Sequence, residues 1–85
     1  MSFNYLINMT QIKLDKSLVE DLITSKLRIL KQFIDEILTR WNESSSKDFL
    51  EKARTGIYKN AEEDAVELRQ LLLDYTKYQE ILNNL

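Results

Sequence analysis

Apolar side chains recur through this chain in two long stripes of helical period. Ile23, Leu27, Leu30, Ile34, Ile37 and Trp41 follow one another at alternating spacings of four and three. That rhythm keeps one apolar seam of a helix turned toward a neighbouring helix. Leu22, Phe33 and Leu38 widen the stripe, as expected of a helix that packs against more than one neighbour. Asp15 or Ser17 can cap its start, so the pattern predicts a first helix from about Ser17 to Trp41. Such a helix is about 37 Å long. It outspans a compact globule of this size, roughly 24 Å across, and so should project, bend or pair.

Leu68, Leu71, Tyr75, Tyr78, Leu82 and Leu85 repeat the same spacing toward the C-terminus, flanked by Leu72 and Leu73. Asn60 followed by Glu63 has the form of a capping box. Glu62, Glu63 and Asp64 place three negative charges on the positive end of that helix. Between the seams, Asn42–Ser46 reads as a linker. Ser44, Ser45 and Ser46 offer caps for a short helix that exposes Phe49, Leu50 and Ala53 to the core and ends before Gly56, where a left-handed residue can terminate it. Upstream, Thr10, Ile12 and Leu14 alternate with Gln11 and Lys13, the period of a half-buried strand or of an extended lead-in. The predicted fold is mainly α: two long amphipathic helices, one short helix and room for a brief N-terminal strand. Residues 1–9 form a tail and residues 10–85 one helical domain, with Met9 a possible alternative start.

Composition strengthens this picture. The 85 residues include no proline and one glycine, which permits long helices. A chain of this length hides only a little over ~60% of its unfolded surface. Small domains often add disulfides, a metal or a partner subunit, but there is no cysteine and no histidine. Association is the remaining route to extra burial. The seams are therefore expected to pack on each other and to leave a further interface, with Leu68, Leu71, Tyr75, Tyr78 and Leu82 as the partner-binding residues. Tyrosines suit such a surface, having an apolar body and a polar tip.

Charge and chemistry narrow the function classes. The net charge is −2, so a basic nucleic-acid surface is not forced. Lys26, Arg28 and Lys31 are the one local basic cluster. No apolar run spans a bilayer and Met1–Asn8 lacks the basic start of a secretory signal, so a cytoplasmic protein is expected. Without histidine or cysteine, nucleophilic catalysis lacks its usual base and thiol, and no glycine-rich phosphate loop is present. No cofactor or metal is expected, and the chain is read as a non-enzyme.

Two family resemblances add to this reading. Thr10-Gln11-Ile12-Lys13-Leu14 followed by Asp-Lys-Ser-Leu-Val-Glu-Asp-Leu resembles the strand and strand-to-helix passage of ribbon-helix-helix antitoxins, over residues 10–41. The resemblance implies a homodimer whose ribbon enters the DNA major groove, with Gln11 and Lys13 reading bases, and a C-terminal helix, here Asn60–Leu85, that covers a toxin. Glu63, Asp64 and Glu67 resemble the paired-acid helix of MazG-like nucleotide pyrophosphohydrolases, but Glu80 is followed by Asn83 where that family carries an acid. The leading expectation is a non-catalytic protein-binding module acting as an antitoxin. A structural subunit of a larger assembly without DNA binding stands second, and a MazG-like hydrolase third.

Overall fold

The computed structural model describes residues 15–85. Among them are three helices and no strand: α1 (Lys16–Arg40), α2 (Ser46–Arg54) and α3 (Glu62–Asn83). The two long helices and the short one form a mainly α fold. The alternating segment Thr10–Leu14 and the tail 1–9 lie outside the described residues.

Each boundary has a local cause. Asp15 caps α1 by accepting from the Ser17 amide at 3.1 Å. At the other end Asn42 takes a left-handed backbone, φ 55°. The Glu43 amide then reaches back to the Leu38 carbonyl at 2.8 Å, and the Asn42 amide to Thr39 at 3.0 Å. This is the paired-bond terminator of a Schellman motif, with asparagine in the usual place of glycine. Ser45 caps α2 by accepting from the Asp48 amide at 3.2 Å. Gly56, at φ 83°, closes α2 in the same way as Asn42 closes α1, with Ile57 bonded to Lys52 at 2.9 Å.

The start of α3 departs from expectation. Asn60 does not cap it: the N-cap is Ala61, which has no side-chain cap bond. Asn60 instead adopts φ 60°. Its tolerance of left-handed backbone turns the chain, and its side chain is not used to hold the first amides. The turn delivers Ala61 into the core, where it is buried. Glu62, Glu63 and Asp64 occupy the first turn as expected.

α1 and α3 form an antiparallel hairpin. Arg40 meets Asp64, and Lys26 lies over the ring of Tyr78. Fourteen residues back along α1 thus correspond to fourteen forward along α3. The long α1 does not project alone, because α3 runs back beside nearly all of it. Ile23, Leu27, Leu30, Ile34, Ile37 and Leu38 are buried along the α1 seam. The tightest packing lies at the joint end, where Ile34, Ile37, Leu38, Phe49, Ala61, Ala65 and Leu68 form one cluster. α2 closes that end, and Phe49 and Leu68 are its largest fully buried side chains. Toward the free ends of α1 and α3 the buried set thins to one residue per turn, all of it on α1.

Candidate functional site

Two regions carry most of the side-chain chemistry of the described residues, and they do different things. The first is a polar and aromatic clasp over the joint. Trp41 stands at the end of α1 with its ring 5.6 Å from Phe49 and 5.1 Å from Tyr58. Its indole N–H donates to Asp64 Oδ2 at 2.7 Å, and Arg40 Nη1 donates to the same oxygen at 2.7 Å. These donors hold the Asp64 carboxyl below its ordinary range, the indole bond contributing most. Beside it, Glu43 Oε1 accepts from Lys52 Nζ at 2.6 Å and from the Tyr58 hydroxyl at 2.7 Å. The two bonds, Lys52 first, lower Glu43. Reciprocally, the Glu43 carboxylate raises Lys52 and Tyr58. No buried side-chain nitrogen or oxygen is left without a partner among the described residues. The clasp is thus internally satisfied, and it ties the ends of the three helices together.

The second region is the open side of the hairpin. A helix turns about 100° per residue, so residues seven apart stand nearly in line. Lys26, Phe33 and Arg40 form such a line on α1, and Tyr78, Leu71 and Asp64 form its counterpart on α3. The two lines touch at Lys26–Tyr78 and at Arg40–Asp64, which sets Phe33 opposite Leu71 between them. Leu18, Leu22, Ile29 and Phe33 share this side of α1, and all four are exposed. Ile81 on α3 and Leu85 just past its C-cap continue the exposed edge. α2 lies on the opposite side, where Ser44 and Ser46 border a groove with Lys31, Asp35, Leu38, Leu72 and Tyr75. Nothing in the described residues covers the open side.

The residues singled out from sequence divide between these regions. Leu68, expected to bind a partner, is fully buried in the chain's own core and does not belong to an accessible surface. Leu71 and Tyr75 are half-buried against that core. Tyr78 and Leu82 are half-buried at the open end. Gln11 and Lys13 lie outside the described residues.

The basic cluster is not brought together: Lys26 leans on Tyr78, Lys31 pairs with Asp35 at 3.1 Å, and Arg28 turns toward Ser25. Nor is the acidic one, since Asp64 is engaged by Trp41 and Arg40 and no three acidic side chains converge among the described residues. The Glu43–Lys52–Tyr58 clasp had no sequence signal. Its members are nine and fifteen positions apart, across a turn, and no local spacing rule relates them. The exposed line Leu18, Leu22, Ile29 and Phe33 was half visible, as the widening of the first stripe.

No described helix is long and apolar enough to cross a membrane. Comparison with protein-family models, with curated proteins and with solved structures finds no match to this chain.

Proposed function

We propose that the chain is a non-catalytic protein-binding module that works by association in the cytoplasm, with a second copy of itself or with a partner protein. The exposed apolar line on the open side of the hairpin carries this reading. Leu22 is 61% exposed and Phe33 46% exposed, on a helix whose adjoining stripe is already buried. Contiguous apolar surface rimmed by polar groups is characteristic of interaction sites.

A pull-down of the tagged full chain, followed by native mass measurement of what it holds, tests the reading. A stoichiometric complex, homomeric or heteromeric, is expected. A monomer that retains no partner overturns it.

The antitoxin role is a narrower form of the same proposal. It is supported by the resemblance over residues 10–41 and by a C-terminal helix that presents Tyr78, Ile81 and Leu82 along an incompletely covered edge. Co-expression with a protein encoded beside it should then relieve that protein's toxicity. DNA binding through Gln11 and Lys13 should be salt-sensitive and weakened in Lys13→Ala. Complex formation without either effect favours a structural subunit of a larger assembly.

A further inference from the structure

We infer that the open side of the hairpin is a homodimer face, on which a second copy of this chain completes a four-helix arrangement. The inference rests on the reading of the chain as a binding module and names the surface and its occupant. Three observations lead to it.

The first is continuity. Leu18, Leu22, Ile29 and Phe33 fall at spacings of four, seven and four, within a ~60° arc of α1. The arc adjoins α3 along the line fixed by Lys26–Tyr78 and Arg40–Asp64. Ile81 on α3 and Leu85 beyond its C-cap extend it. The strip ends at the joint in a charged border: Glu36 and Glu67 both act on Arg40, which is bound to Asp64. An apolar strip with a charged border at one end has the form of an interface centre and its rim.

The second is area. The exposed fractions of these six residues amount to at most about 500 Å² of mainly apolar surface, taking ~180 Å², low in the range for large side chains, for each when fully exposed. A standard interface covers ~800 Å² on each partner, and the core of a homodimer interface is ~65% apolar. The apolar share of such an interface is therefore about 500 Å², which this strip supplies.

The third is charge. Between Leu18 and Phe33, Lys26 is the one charged α1 side chain on this side, and the α3 edge facing that stretch carries Asp74. A two-fold axis running along the hairpin lays α1 of one copy over α3 of the other. It brings Lys26 within about one helical turn of Asp74 of the second copy, unlike charges that steer and fix register. The same face on both copies then makes a closed, self-complementary contact.

Sedimentation of the full chain over a range of concentrations tests this. The expected result is a species of twice the 10.1 kDa chain mass. Leu22→Glu and Phe33→Glu should each weaken it by a hundredfold or more while far-UV circular dichroism stays helical. Leu73→Glu, on the exposed back of α3, should leave it intact. If Phe33→Glu loses its helicity, Leu22→Glu reads the same surface farther from the joint.

A full chain that stays monomeric at millimolar concentration overturns the inference, whether residues 1–14 or another protein covers the face. So does a dimer indifferent to both glutamates, or one broken by Leu73→Glu. A monomer that binds a different protein through Leu22 and Phe33 sinks the dimer but leaves the binding-module reading standing. A monomer with no partner sinks both.

Discussion

Replacing Phe49 with alanine should come close to unfolding the protein. Phe49 is fully buried, flanked by Trp41 at 5.6 Å and Tyr58 at 5.9 Å between ring centroids, and it is the main plug that α2 contributes to the joint. Truncating a buried phenylalanine costs ~3–5 kcal/mol, the transfer of the ring plus the cavity it leaves. A chain of this size is stable by roughly 4–13 kcal/mol, at ~0.05–0.15 kcal/mol per residue. The loss is therefore about a quarter of the total at the least, and all of it if the domain is marginal. With a urea slope near ~1 kcal/mol/M for so small a domain, the midpoint should fall by about 3–5 M, or the transition should be lost altogether. Leu73→Ala is the control. Leu73 is 65% exposed, so its truncation should shift stability by no more than about 0.5 kcal/mol. Urea titrations of both variants, followed by far-UV circular dichroism and by Trp41 fluorescence at one fixed protein concentration, make the comparison. Equal shifts in the two variants, or a Phe49→Ala loss below about 1 kcal/mol, would refute the placement of the core at the joint.

The other predictions concern the clasp and the turns. Asp64→Ala removes the acceptor shared by Trp41 and Arg40 and should cost about 1–2 kcal/mol in a urea titration. Asp64→Asn, which still accepts from the indole, should cost less. Glu43 and Asp64 are both held below the usual carboxylate range, so in acid the unfolded chain binds the extra protons. Their contribution is complete above the unfolded values near ~4 and is lost as pH falls through the lower folded values. Lys52 and Tyr58 are raised by Glu43. Their contribution is present below unfolded values near ~10 and is lost as pH rises through the higher folded ones. Thermal melts across pH should therefore fall away on both sides of a plateau, and Glu43→Gln should flatten both limbs; unchanged limbs would show that the clasp does not carry them. Gly56→Ala meets no atom within 4 Å, so its cost is the left-handed backbone alone, about 1 kcal/mol by urea titration.

Much of this architecture can be read from residue order, because helices are set by local period and local caps. The seam from Ile23 to Ile37 marks the buried face of α1, and Gly56 ends α2 where the chain takes the left-handed backbone that glycine adopts at least cost. Asn42 and Asn60 show the limit. Asparagine serves as a cap acceptor and as a left-handed residue equally well, and which role it takes depends on where the next helix must go. Leu68 shows a second limit. A period locates an apolar stripe but not the surface that covers it, so a core residue and an interface residue on one seam look alike. The clasp was not legible at all. Glu43, Lys52 and Tyr58 meet only because Asn42 and Gly56 both turn the chain, and Trp41 finds Asp64 across twenty-three positions.

Packing that is dense at one end and sparse at the other implies a molecule whose local opening is graded along its length. Amide exchange should be slowest around Ile37, Phe49 and Leu68, and fastest in the first turns of α1 and the last turns of α3. The loosest turns are those that carry Leu18, Leu22 and Ile81, with Leu85 just beyond. Whatever seats itself there would also finish zipping the hairpin, so that recognition and the last step of folding become a single event.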